Sequence, residues 1–531
     1  MFLTVAVCSV FTSCKDNDED LSVRSITLSS NSLTLEPGGT QTLTVNFFPE
    51  NALNKNVSWS SSDPSTVEVS SSGVITALKV GSAVITAIAE DCGEKATCSV
   101  TVSAAGSATM TVGAKGGDAA PVQGVWGKNT IVNVNGQIYV PEGQSLKIEE
   151  GVQIIISAES QDNNNTKIEI IVEGSLYCYG TAAAPITFTV PAANRDQKTD
   201  GRHWGGIIGS ETCAEILLDH VLIEYTGALT TASSPSVTKG LFKAGGGDGM
   251  VAFNTNNPQG KYVIQNSTFR YTSEDAIYVQ GGDCLFINNL FHTVGDDGGE
   301  AINVKAGCRV VAAFNVIYSP NTNAFKLSNS GVSEVRTQAI IHAYNNTIIN
   351  SGWNRDPSKP KGCSVWVEGG LVHVFNNLIV NCMFGSKAPD FGQGGTIGAD
   401  AASVIDYNFY ASGTAESGVQ QHIENGTVTA FDGFRKEPKQ PDVVHGENDI
   451  YGESPGDKDP MFVSFPFDDN PVMSRTYDVT WNFHLQAGSP ALDASKVRTG
   501  FTPQHSTGIT MDGKTYNSPA PAAYFGAKGA N

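Results

Sequence analysis

Charge is scarce in this sequence, and positive charge is scarcer: 16% of the 531 residues are charged, with 33 Lys and Arg against 53 Asp and Glu. The net charge of −20 excludes nucleic acid and other polyanions as partners held by bulk attraction, and leaves only local basic patches for an anionic ligand. After the first thirteen residues there is no run of about 20 apolar residues, so no apolar helix is expected to cross a membrane. Cysteine is sparse and scattered. Eight follow Cys14 without a CxxC or a Cys/His ligand spacing, which argues against a thiolate metal centre. Cys92 and Cys98 are placed to face each other across a hairpin, and the others are expected as buried thiols.

What the sequence does have is glycine, 56 residues of it, and a length beyond one ordinary domain. Within Lys261–Cys382 one pattern recurs: an apolar run, an Asn-rich corner, a second apolar run, a loop and a third apolar run. Ser267, Asn289, Asn315, Asn346 and Asn377 fall in one column with steps of 22, 26, 31 and 31 residues. That spacing belongs to solenoid repeats, whose units hold too few strands to bury their own apolar faces and must stack. Asn suits such a corner because it tolerates a left-handed backbone and its amide can bond the Asn above and below. The corners Ile287-Asn288-Asn289-Leu290-Phe291, Tyr344-Asn345-Asn346-Thr347-Ile348 and Phe375-Asn376-Asn377-Leu378-Ile379 resemble the right-handed parallel β-helix, the pectate-lyase-like superfamily. The resemblance covers about Pro121–Arg498.

Before the repeats, Ser22–Ser103 alternates apolar and polar residues in seven or eight short runs, among them Gln41-Thr-Leu-Thr-Val, Thr66-Val-Glu-Val and Ser82-Ala-Val-Ile-Thr-Ala. Such runs make a β-sandwich. Leu35-Glu-Pro-Gly-Gly and Gly73-Val-Ile-Thr-Ala-Leu-Lys-Val-Gly resemble the group 2 bacterial Ig-like domain, which implies a spacer or adhesion module without chemistry of its own. At the front, Phe11-Thr12-Ser13-Cys14 resembles a bacterial lipobox, implying lipid on Cys14. The acidic Lys15-Asp16-Asn17-Asp18-Glu19-Asp20 after it is similar to the export signal of Bacteroidetes surface lipoproteins, which implies the outer face of the outer membrane. The expected plan is all-β: 1–21 signal and tether, 22–103 Ig-like sandwich, 104–120 flexible linker, 121–425 parallel β-helix, and 426–531 terminal coils and cap.

Candidate chemistry gathers on the third strand of each coil, where Ile277, Ile302, Phe325 and Val365 point inward by period-2 alternation. Two rows then stand outward: Tyr278, Asn303, Lys326 and Trp366, and Gln280, Lys305, Ser328 and Glu368. Strands about 4.8 Å apart let such a face track a linear polymer, and in the superfamily this sheet carries the substrate groove. Tyr278, Trp366 and Trp353 are candidates to stack on sugar faces, with Asn303, Glu368 and Arg355 as polar contacts. Asp296, Asp297 and Glu300 are candidate oxygen ligands for calcium. A lyase needs a base for the proton α to a uronate carboxylate, for which Lys305 or Lys326 is available. Asp296-Asp297 also resembles the paired Asp of polygalacturonase-type hydrolases, but no Gly-His-Gly or Arg-Ile-Lys accompanies it, and the Arg-x-Pro-x-x-Arg of pectate lyases is absent as well. His342 and His373 share a column and, lacking a third ligand, read as a structural stack. The sequence therefore points first to a surface lipoprotein presenting a β-helix to a glycan or surface, second to a polysaccharide lyase, and third to a purely structural surface protein.

Overall fold

A computed structural model describes residues 22–103, 108–195, 201–245, 250–296, 298–354, 363–388, 400, 402–413, 421–424, 427–430, 446–451 and 456–531. They fall into two units, Met1–Ala105 and Gly106–Asn531. The first is a sandwich of nine strands in sheets of two, four and three. Its longest strand, Gly81–Ala89, buries every second residue from Ala83 onward, and Ala83 and Ile85 meet Val67, Ile75 and Val100 in the core. Cys98 is buried and Cys92 exposed, both as free thiols, so the hairpin pairing expected of them is not formed.

The second unit is a parallel β-helix, right-handed as β-crossover-β connections are. Three sheets of ten, twelve and ten strands run its length. Taking the coil that starts at Lys261 as the pattern, Lys261–Gln265 lies on the first face, Thr268–Thr272 on the second and Ile277–Val279 on the third. The interior is one continuous cluster, in which Ile264, Phe286, Ala312, Ala343 and Val374 follow one another up the first face. The solenoid begins earlier than expected. Within the proposed linker, Thr109–Val112 already pairs with Ile131–Val134, and Ala120 with Ile138. Alternating small residues there hid strands that need only one packed side.

The Asn column is a hydrogen-bond ladder. Asn289, Asn315, Asn346 and Asn377 each donate an Nδ2 hydrogen to the Oδ1 of the next Asn, at 3.0, 2.9, 2.9 and 2.9 Å, ending on Asn408. The same Oδ1 atoms accept the backbone N–H of the coil before. The ladder stops where Asp449 Oδ1 accepts the Asn408 N–H at 2.6 Å, and burial pushes the Asp449 carboxyl up to about 7. The left-handed position is one residue earlier, at Asn266, Asn288, Phe314, Asn345, Asn376 and Tyr407, with φ between 51 and 60°. Two adjacent columns thus divide the roles that the sequence suggested for one.

Residues 456–531 depart from the expected end cap. They lie along the outside of the solenoid instead. Phe462, Phe467, Phe483, Leu485, Phe525 and Ala527 cover outward residues of the second face such as Tyr318, Ile349 and Val380. Ile509 and Met511 cover Leu217, Val263, Leu285 and Val311 on the first. The strap is tied from Asn376, whose amide exchanges hydrogen bonds with Arg498, back to Lys147 and Tyr179, both 2.7 Å from Asp512. Strands such as Ile216-Leu217-Leu218 are apolar on both sides, and the outer side needs covering as much as the inner.

Candidate functional site

Parallel register places the expected outward row as read. Asn254, Tyr278, Asn303, Lys326, Trp366 and Lys387 are consecutive partners up the third face. Ser328 and Glu368 pair in the second row, and Ile277, Ile302, Phe325 and Val365 are fully buried beneath them.

At the centre is a group of charged and amide side chains. Asp275 Oδ1 accepts the Glu300 N–H at 2.7 Å, and Asp275 Oδ2 accepts Asn303 Nδ2–H at 2.8 Å. Asn323 Nδ2 donates to Glu300 Oε1 at 3.0 Å. Burial and the neighbouring Glu300 charge hold the Asp275 carboxyl well above the carboxylate range. Burial works the same way on Glu300, but hydrogen bonds from Asp275 and Asn323 and the charges of Lys326 and Lys305 outweigh it and keep Glu300 low. Of the two acids, Asp275 is thus held towards its protonated form and Glu300 towards its charged form.

Beside this pair stand the two lysines. Burial and then repulsion from Lys326 bring Lys305 down to about 8, against the attraction of Asp275, Glu300 and Glu368. Its Nζ lies 5.3 Å from the centre of the Tyr278 ring. Lys326 Nζ is 4.0 Å from Glu368. Asn303 Oδ1 is buried without a hydrogen-bond donor among the described residues. The arrangement sets two lysine side chains, one lowered towards its amine, beside a buried pair of acids. It can hold an anion, and it can move a proton.

The remaining expected residues go elsewhere. Trp366 is buried with Cys363, Met383 and Phe384, and Trp353 packs against that cluster while donating Nε1–H to Asn381 O at 2.7 Å. Trp366 is therefore not the open sugar platform the sequence suggested, and Trp353 is partly buried against the same cluster. Asp296 pairs with Arg202 at 3.6 Å, whereas Glu300 turns to Asp275 and Asn323. Among the described residues no group of three His, Cys, Asp or Glu side chains is set to hold a metal ion. Asp297, Arg355 and Cys14 lie outside the described residues. His342 and His373 stack at 5.1 Å, and a third ring, His505 of the strap, sits 4.3 Å from His342.

Sequence reasoning did not assign Asp275 or Asn323. A signal for them exists, since Asp275, Glu300, Asn323 and Cys363 each stand two residues before the inward apolar residue of successive third-face strands. They form a second polar column.

Residues 22–100 match the bacterial Ig-like domain (group 2) family, and residues 119–214 match the pectate-lyase like beta helix domain family. An uncharacterized protein of Clostridium acetobutylicum is 48% identical over 88 residues, which is 17% of this chain and 9% of that protein. An alpha-L-arabinofuranosidase of Bifidobacterium longum subsp. longum is 45% identical over 73 residues, 14% of this chain and 7% of its own length. The chain thus spans less than a tenth of either relative. The group at Asp275–Glu368 lies beyond both family matches. From its N-terminal sandwich to its stacked coils, the chain carries a group 2 bacterial Ig-like domain followed by a pectate-lyase-like β-helix.

Proposed function

We propose that the β-helix binds an acidic glycan on its third face, with Lys305 and Lys326 as the anion-holding pair and Tyr278 and Asn303 beside them. One observation carries this reading: Lys305, with Nζ 5.3 Å from the centre of the Tyr278 ring, and Lys326, with Nζ 4.0 Å from Glu368, stand on adjacent third-face coils, and repulsion from Lys326 helps lower Lys305. A carboxylate settling between the lysines relieves that repulsion. The name of the Bifidobacterium relative and the β-helix family agree with a glycan-directed role. Placement at a cell surface, with the Ig-like domain as spacer and lipid on Cys14, completes the proposal; palmitate labelling that persists in Cys14→Ala would refute the anchor.

The test is calorimetric titration with polygalacturonate, alginate and a neutral glucan. Binding to the acidic polymers should weaken at least tenfold in Lys305→Ala/Lys326→Ala, roughly 1.4 kcal/mol or more, and the glucan should not bind. Unchanged affinity in the double variant would remove the site.

A second reading, polysaccharide lyase, rests on the Lys305 value of about 8. A general base is most effective when its pKa lies near the working pH. In β-elimination the Lys305 amine takes the proton α to the uronate carboxylate. That C–H pair becomes the new double bond as the glycosidic C–O bond β to the carboxylate breaks, and the departing oxygen is protonated. Lys305→Arg separates the readings, because it keeps the charge and removes the base. Absorbance from new double bonds that disappears in this variant, with binding retained, supports the enzyme. Calcium supplied through Asp296 and its neighbours is tested by repeating the assay after chelation.

A further inference from the structure

The left-handed column beside the Asn ladder carries four asparagines, and three use their amides inside the protein. Asn266 Nδ2 donates to Asp219 Oδ1 at 3.0 Å. Asn345 Nδ2 donates to Tyr524 O at 2.6 Å and its Oδ1 accepts the Ala522 N–H at 3.0 Å. Asn376 exchanges hydrogen bonds with the Arg498 backbone at 2.8 and 3.0 Å. Asn288 is the exception, as its exposed side chain makes no hydrogen bond among the described residues. It lines a cavity of 230 Å³ between this corner and the C-terminal strap, together with Tyr477, Trp481, Asn482, His484 and Lys528.

The cavity walls are fixed from behind. Tyr477 stacks on His292 at 4.5 Å, and Trp481 meets Tyr318 and Phe465 edge-on, each at 5.0 Å. His484 Nδ1 shares a hydrogen with Asn482 Oδ1 at 2.7 Å. Lys528 forms no ion pair among the described residues, and its burial lowers the pKa.

We propose that this pocket binds a single sugar ring bearing a carboxylate, a uronic acid residue. The volume decides the size, being below the roughly 300 Å³ at which pockets begin to take drug-sized ligands. The rings of Tyr477 and Trp481 offer an apolar surface for the C–H face of a pyranose. The Asn288 and Asn482 amides have donors and acceptors for vicinal hydroxyls. Lys528 selects the acid, since an anionic group relieves an unpaired, half-buried ammonium and a neutral sugar leaves it so. The pocket lies where the first and second faces meet, so this site does not depend on the third-face reading.

The experiment uses the full chain carrying Lys305→Ala/Lys326→Ala, so that the third face contributes nothing, and follows titration by glucuronate, galacturonate, glucose and galactose with saturation-transfer NMR. At least one uronate should bind, the neutral sugars should not, and affinity should fall at least tenfold in Lys528→Met and in Asn288→Gly. Asn288→Gly removes the amide while keeping the left-handed backbone, at φ 56° in the native residue, without strain. Far-UV circular dichroism and the melting temperature of each variant check that it is folded. Absence of uronate binding, equal binding of the neutral sugars, or affinity unchanged in both folded variants would overturn the proposal.

Discussion

Asn346 is the middle of the ladder, and its truncation measures what the ladder contributes. The side chain is fully buried. Its Oδ1 accepts from Asn315 N at 3.0 Å and Asn315 Nδ2 at 2.9 Å, and its Nδ2 donates to Ala312 O at 3.0 Å and Asn377 Oδ1 at 2.9 Å. After Asn346→Ala, Asn315 Nδ2 still reaches Phe286 O, and Asn377 Oδ1 still accepts the residue 346 N–H. The Asn315 N–H is left without its partner, and the Ala312 carbonyl loses the amide it accepted. A stranded buried donor costs about 1–3 kcal/mol and each further lost bond about 0.5–1.5 kcal/mol, so the variant should lose about 3–5 kcal/mol. Urea unfolding at constant m-value reads the loss, and amide exchange at Asn315 should accelerate most, because neighbouring coils share the damage in a solenoid. The double variant Asn315→Ala/Asn346→Ala should cost less than the two singles summed, since the Asn315 Nδ2–Asn346 Oδ1 bond is lost in each single but only once in the double. A loss below about 1 kcal/mol for Asn346→Ala, or strict additivity, would refute the ladder as a source of stability.

The strap should loosen in acid. Burial lowers His342 to about 3 and His505 to about 4, and lowers His373 as well, with Arg498 and Arg309 disfavouring a further positive charge there and Asp283 favouring it at His505. Folded values below the unfolded value near 6.5 mean that the strapped state binds fewer protons, so its stability is complete above about pH 6.5 and declines as the pH falls towards 4. Amides of Ile509 and Met511, corrected for intrinsic exchange, should lose protection over that window while ladder amides keep theirs; equal behaviour of the two would sink the idea. At the third face, Glu300→Gln combined with Asp275→Asn removes both acids that favour the Lys305 ammonium, so the Lys305 titration, followed by NMR of labelled lysine, should move below about 8. A rise would contradict the acid pair's proposed arrangement.

The ladder and the outward row were legible in the sequence because a parallel solenoid converts equal spacing into adjacency: Asn315 and Asn346 touch because 31 residues complete one coil. Tyr278, Asn303, Lys326 and Trp366 followed by the same rule. What periodicity does not carry is how far a side chain reaches into solvent. Trp366 is in its expected register but is covered by Met383 and Phe384, which come from the next coil's irregular turn. The strap was illegible for a related reason. Residues 456–531 have no repeat, and their contacts to Lys147, Lys261 and Asp283 span more than 200 residues of sequence.

Coverage of the other faces sharpens the choice of site. The first and second faces spend their outward apolar residues on the strap, at Leu217, Val263 and Leu285 and at Tyr318, Ile349 and Val380. The third face is built differently at the same coils, with Asn254, Asn303 and Lys326 outward, residues that contribute nothing to an apolar seam and are costly to bury without partners. Asn303 donates to Asp275 and Asn254 to the Tyr278 carbonyl, while Asn323 donates to Glu300 in the next column, a polar arrangement that adds nothing to apolar packing. Apolar replacements would pack the face at lower cost, and the buried acid pair beside Lys305 and Lys326 is what supports the proposal of a ligand at the third face.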